Sequence, residues 1–416
     1  MMRRVAQSLL CMALLGPIPA IAAPEFAITG YGTFGYARSD EDFRYLRYID
    51  RGGTFKADSL LGLQLEARFD PEWSATVQAV ASAPRTRDSG YETAIRWAFV
   101  GFRPENDWLL RFGRLRPPVL INTQNAEVGV TYDQARLPAE VYTLSPVYDV
   151  DGAAFTKTWS KGQAETTLDG YWGTTKINYR FPFQRTGEQK YFPERIQLVG
   201  FVLSHSSGPL LLRGGIHYAT LKAAGSQPFF ETFANVPIPA APPVGGDLYV
   251  PLHVIDRVHI TVLTFGADWH RYDWRITGEY GQRIVRDVNY GPDSRSAYVT
   301  VARSIGNWTP YATYARLLSG STPRTLYRAI DSAPVPLAAL GPPFFLSADY
   351  HRALADQVIA YDQHSVMLGA SYTFSATSKI KLEWMRTKVG LVSALVDGDV
   401  HDKAFNVYSV SYSFAF

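Results

Sequence analysis

Along most of this chain, apolar and polar residues alternate one by one over stretches of about ten residues. Leu61, Leu63, Leu65, Ala67 and Phe69 share one parity, with Gln64, Glu66 and Arg68 on the other. After the three residues Asp70, Pro71 and Glu72, the pattern resumes with Trp73, Ala75, Val77, Ala79 and Ala81 set against Ser74, Thr76 and Gln78. A period of two is the signature of a strand with two unlike faces, and two such runs across a short polar turn predict a hairpin. The same reading predicts strands at 26–38, 59–69, 73–82, 91–103, 108–116, 152–159, 163–172 and 195–205. It continues at 210–221, 258–270, 274–283, 296–304, 308–318, 364–374, 379–388 and 404–416, sixteen in all. Segments 195–205 and 258–270 are apolar on both parities.

The connections alternate in length. Short ones fall at 70–72, 104–107, 160–162, 206–209, 271–273, 305–307 and 375–378, with long ones between them. Six of the nine tryptophans, Trp73, Trp108, Trp159, Trp269, Trp274 and Trp308, abut a short turn. That placement suits amphipathic rings at one membrane interface, and a soluble sandwich gives no reason for it. Past the N-terminal segment, no apolar run approaches the ~18 residues a membrane helix needs. A chain of this pattern crosses a bilayer only as a closed sheet, where every backbone group finds a partner. The last strand, with Tyr408, Val410, Tyr412, Phe414 and Phe416 against Ser409, Ser411 and Ser413, resembles the final strand of Gram-negative outer-membrane β-barrels. By that resemblance Phe416 is the C-terminal assembly signal read by the barrel-assembly machinery.

Residues 1–22 carry Arg3 and Arg4, an apolar run and the small-residue pattern Ala20, Ile21, Ala22, which predicts a secretory signal peptide cleaved after Ala22. The single cysteine, Cys11, leaves with it, so no disulfide or thiolate metal site is expected in the mature protein. Charged residues make up 19% of the chain, and loss of Arg3 and Arg4 brings its 41 basic side chains to within one of the 38 acidic ones. That balance gives no field for nucleic acid. With no compositional break, residues 23–416 read as one domain.

Motifs for bound groups read as structure. Gly30-Tyr31-Gly32-Thr33-Phe34-Gly35 matches a dinucleotide fingerprint but lies within the first strand, where glycines serve curvature or the close approach of neighbouring side chains. Ser378 and Lys381 straddle a turn, and Asp149-Val150-Asp151-Gly152 opens like a calcium loop but continues with Ala153, Phe155 and Lys157. The eight histidines show no close ligand spacing, and no catalytic residue, cofactor or metal site is predicted.

The longest early connection, 117–151, is too long to be a mere link. Its surroundings, Gly113-Arg114-Leu115-Arg116-Pro117-Pro118, then Val128-Gly129-Val130-Thr131-Tyr132 and Leu137-Pro138-Ala139-Glu140-Val141-Tyr142, then Asp151-Gly152, resemble the Gram-negative trimeric porins. The resemblance implies an all-β transmembrane antiparallel barrel of 16 strands, with short periplasmic turns, long outer loops and the third loop folded into the lumen. It also implies a homotrimer passing small hydrophilic solutes and ions across the outer membrane by diffusion. The loop departs from the family in lacking a dense acidic cluster.

The polar parity then assigns Arg68, Arg96 and Arg111, with Arg114 near the rim, to a basic wall, and Glu127, Asp133, Glu140, Asp149 and Asp151 to the constriction loop opposite it. Acids facing arginines across a narrow aqueous gap would sieve solutes by size and charge. A substrate-selective porin, a receptor barrel with a filled lumen, and a barrel enzyme such as a lipase remain alternatives. The proline-rich connections 222–257 and 319–363 suit either a lid or a contact between subunits.

Overall fold

The computed structural model describes residues 24–145, 147–183, 189–225, 229–238, 246–333 and 348–416. The predicted signal peptide lies outside these, as do Pro239, Pro242, Pro243, Pro334, Pro336, Pro342, Pro343, Phe344 and Phe345 of the two proline-rich connections. Sixteen antiparallel strands close into a single barrel. They are β1 (Glu25–Ser39), β2 (Leu60–Arg68), β3 (Trp73–Ser82), β4 (Glu92–Phe102), β5 (Trp108–Leu115), β6 (Val150–Lys161), β7 (Ala164–Pro182) and β8 (Gln189–Ser207). The second half comprises β9 (Leu210–Ala223), β10 (Arg257–Arg271), β11 (Trp274–Val285), β12 (Ser294–Arg303), β13 (Trp308–Ser319), β14 (Tyr361–Ser375), β15 (Ser378–Ser393) and β16 (Lys403–Ala415). Each strand pairs with its sequence neighbours, and β1 pairs with both β2 and β16. The predicted strands are all present in the predicted order.

Parity decides which face meets lipid. Along β12 exposed and buried residues alternate without a break, with Tyr298, Thr300 and Ala302 inward and Val299 and Val301 outward. Trp73, Trp159, Trp274 and Trp308, at the short-turn end, are 42–48% exposed on the outside, forming the aromatic belt of an interface. Among the described residues no helix is long and apolar enough to cross a membrane.

The seam joins the two ends of the described chain. Phe416 and Gly30 exchange backbone hydrogen bonds, each 2.9 Å. A Cβ at Gly30 would lie 2.4 Å from the Phe416 ring, and one at Gly32 would lie 2.6 Å from the Phe414 ring. The glycines of the false nucleotide motif thus admit aromatic rings packed across the seam.

Three connections carry more structure than the alternation predicted. β7 and β8 run on beyond 172 and before 195 as paired strands, because residues 173–182 and 189–194 remain extended and register-matched above the barrel. Connection 222–257 holds a second hairpin, Phe229–Ile238 with Gly246–Ile255, and 319–363 holds two helices, α1 (Ser321–Ser332) and α2 (Ala348–Ala355). Phe233 of the hairpin packs with Tyr327 and Ile330 of α1 and Leu354 of α2, so the two connections cover one another within one chain.

Gly62 stands directly across from Tyr31 of β1, and a Cβ there would lie 2.3 Å from the buried ring. Gly62→Val should unseat Tyr31 and destabilise the barrel by about 1–3 kcal/mol, read as a lower urea midpoint of the folded band. Gly214→Ala, whose Cβ would meet nothing nearer than the Thr264 carbonyl at 4.0 Å, should leave that midpoint in place.

Candidate functional site

Residues 117–149 run between β5 and β6 and contact inward-facing side chains around most of the barrel. A short helical turn, α3 (Ala139–Tyr142), gives them their one regular segment beyond a 3-10 turn at Gly129–Thr131. On the far wall, Lys381 of β15 donates to the carbonyls of Gly129 (2.6 Å) and Gln134 (2.9 Å), and its ammonium sits 3.9 Å from the centre of the Tyr132 ring. Asp133 accepts from Lys379 (2.9 Å) and Ser371 (2.8 Å). Glu279 of β11 accepts from the Ile121 backbone N–H (2.6 Å), the Tyr142 hydroxyl (2.7 Å) and the Tyr298 hydroxyl (2.8 Å). Glu140, fully buried, accepts from Gln363 (2.8 Å) and from the Ser365 hydroxyl. Arg136 donates to Asp58 at 2.8 Å.

Toward β4 and β5, the same loop meets three arginines. The β3–β4 register skips Arg96, a bulge that adds one residue and reverses the parity of β4 beyond it, while Arg96 itself keeps the inward side of Glu92 and Ala94. Glu127 lies 3.1 Å from Arg85, 3.3 Å from Arg96 and 2.6 Å from Arg116, and Asp149 lies 3.5–3.7 Å from the same three. Arg96 is 3% exposed and Arg116 5%. The acids therefore touch the arginines instead of facing them across water, and a buried five-charge cluster replaces the predicted aqueous gap.

The two carboxyls differ. Burial pushes Glu127 up, but Arg116, Arg85 and Arg96 outweigh it and hold the group below its ordinary 4.5. Burial also pushes Asp149 up, and the same arginines offset it only in part, leaving the group above its ordinary 3.8.

The remaining expected site residues stand elsewhere. Arg68 is at the short-turn mouth, its side chain 72% exposed and 3.9 Å from Glu25. Arg111 points inward to Thr156 (3.0 Å) and Asp169 (3.8 Å). Arg114 and Asp151 pair at 2.8 Å on the same parity as the exposed Phe112, at the loop-side edge of the outer face. Asp151 belongs to β6. Sequence reasoning missed Arg85, Arg116, Lys381 and Glu279. Lys381 and Glu279 lie mid-strand on the polar parity, a signal that was available, whereas nothing in its neighbourhood distinguishes Arg85. Among the described residues no group of three or more His, Cys, Asp or Glu could hold a metal ion.

Linkage sets the sign of the pH effects. Stabilisation from Glu127 is complete above 4.5 and is lost as pH falls through its lower folded value, whereas Asp149 adds stability as pH falls through its raised one. At neutral pH, Glu127→Gln should cost about 3–5 kcal/mol, because it leaves buried guanidiniums short of a partner. Asp149→Asn should be neutral or mildly stabilising in the same denaturant titration. A Cβ built on Gly129 falls 3.0 Å from the Ser413 Cβ, close to the ~3.5–4.5 Å a disulfide spans. Gly129→Cys with Ser413→Cys should therefore cross-link under mild oxidant, seen as a reducible shift of the denatured band.

No protein-family model and no curated protein sequence matches this chain. Solved structures do. In-vitro folded OmpT of Vibrio cholerae, described as an outer membrane protein in trimer form, is 12% identical with a TM-score of 0.50, covering 95% of this chain and 100% of that one. An anion-selective porin from Comamonas acidovorans is 13% identical with a TM-score of 0.50, at 95% and 100% coverage. Salmonella typhi OmpF, in complex with daunomycin, is 11% identical with a TM-score of 0.50, at 94% and 97%. With its closed sixteen-stranded sheet and apolar outer belt, this chain has the fold of the general porins, a β-barrel with a lipid-facing surface.

Proposed function

We propose that this protein is a porin: a non-enzymatic, cofactor-free barrel through which small hydrophilic solutes and ions diffuse passively, working as a homotrimer. The observation that carries the reading is the loop 117–149, which is bonded to inward-facing side chains of β11, β14 and β15 inside a closed sheet. A charged segment held there narrows the passage and sets what traverses it. At the short-turn mouth, Glu66 and Arg68 are exposed on the inward parity and form a polar vestibule. The trimer is supported by the trimer form of the Vibrio cholerae structure, and the narrow neck predicts small conductance steps.

Three guanidiniums against two carboxylates leave the neck cluster with a net positive charge. In a planar bilayer under a salt gradient, the purified mature protein should give stepwise currents, grouped in threes, with a reversal potential on the anion side. Arg85→Gln should move that potential toward zero without closing the channel. Inserted, folded protein that passes no current would sink the porin reading.

A further inference from the structure

The lumen is not uniform. Between β7 and β11, on the loop side, the inward parity turns apolar: Ile196 and Leu198 on β8, Leu221 on β9, and Val258, Ile260 and Val262 on β10 are all buried. A water-filled passage calls for polar residues at such positions. Here they bound a partly open cavity of about 420 Å³, within the size range of small-molecule sites. Val119 and Leu144 of the lumenal loop close one side, and Phe229, Phe230 and Phe233 of the outer hairpin close another. Phe233 is held in place by stacking on Tyr290, centroids 4.4 Å apart and planes 9° apart.

Among the described residues, two charged side chains line this chamber, and they are not equivalent. Arg283 already donates to the carbonyls of Pro292 (2.6 Å) and Leu144 (3.2 Å) and to the Ser294 hydroxyl (3.1 Å). Glu194, in contrast, is 6% exposed, and its Oε2 is buried with no hydrogen-bond partner among the described residues. A carboxylate left so in apolar surroundings is costly unless something donates to it. His217, at the chamber wall, does not serve, since its Nδ1 is taken by the Tyr171 hydroxyl (2.6 Å) and its Nε2 lies 3.4 Å from Thr264 Oγ1.

We propose that the chamber is a binding site for a small, largely apolar molecule carrying one amine, its body against Ile260, Val262 and the hairpin phenylalanines and its amine on Glu194. The site depends on the porin reading only for how the molecule arrives. It would make the barrel selective, retaining an apolar amine beside the polar route.

The test uses the mature protein in lipid nanodiscs, titrated calorimetrically with 1-naphthylmethylamine, and with 1-naphthoic acid as the probe of opposite charge; empty discs correct for partition into lipid. The amine should bind saturably at one site per chain, at least ~10-fold tighter than the acid, as loss of a hydrogen bond to a charged group implies. Glu194→Gln should erase that preference while leaving weak binding of both probes, and Ile260→Trp, which intrudes on the apolar wall of the chamber, should weaken both. Heat-modifiable migration verifies that each variant is folded. Absence of saturable binding, or binding indifferent to both substitutions, would overturn the site. Bilayer currents of the same preparation separate the two readings. Conductance without saturable binding removes the chamber site alone, and binding by an electrically silent barrel removes the porin reading alone.

Discussion

In hydrocarbon, a backbone N–H or C=O without a partner costs several kcal/mol, and everything else in this molecule follows from meeting that constraint. Sixteen strands leave two edges, and the structure removes both by pairing β1 with β16 along nine residues and by the reciprocal bonds of Gly30 and Phe416. The seam demands side-chain room as well as backbone register. Gly30 and Gly32 provide it, because the rings of Phe416 and Phe414 occupy the space where their side chains would stand. Closure then divides every strand into a lipid face and a lumenal face.

The second consequence is that charge placed on the lumenal parity is trapped. An arginine or lysine facing inward cannot reach lipid headgroups, so it must find water or a counter-charge inside. The loop 117–149 supplies partners in both directions: carboxylates for Arg85, Arg96 and Arg116, and backbone carbonyls for Lys381. In return the wall satisfies the loop's own backbone, as where Glu279 accepts from Ile121. The loop is thus held by mutual satisfaction of buried polar groups. Such a network rigidifies when complete and is sensitive to the loss of any member.

The lumen divides into two chemical halves. The walls from β11 round to β16 carry Ser, Thr, Tyr and charged residues engaged by the loop, whereas β8 to β10 present aliphatic side chains to the chamber beneath the outer hairpin. The helices α1 and α2 and that hairpin pack around Phe233, Tyr327 and Leu354, forming a small core of their own beside the chamber. An apolar wall and a charged cluster thus stand side by side within one barrel.

Strand order, the side bearing short turns and the parity of the alternating strands were determined by the sequence alone, and the strand number to within about two, because each depends on a period-two pattern readable within ten residues. Arg96 and Arg111 could be placed inside for the same reason, as could the lipid exposure of Trp274 and Trp308. The tertiary structure decided the pairings. Glu140 finds Gln363 and Ser365, 223 and 225 residues away in sequence, and Arg180 of the extended β7 reaches both Asp88 and Asp397. No local pattern encodes such contacts, since they depend on which strands the closed sheet sets opposite one another. The apolar parity of Val258, Ile260 and Val262 was visible as a run without alternation, but its meaning was not. Whether both faces of a strand are apolar because of lipid alone, or because of lipid outside and a chamber inside, is settled only once the barrel has closed and the outer hairpin has folded over it.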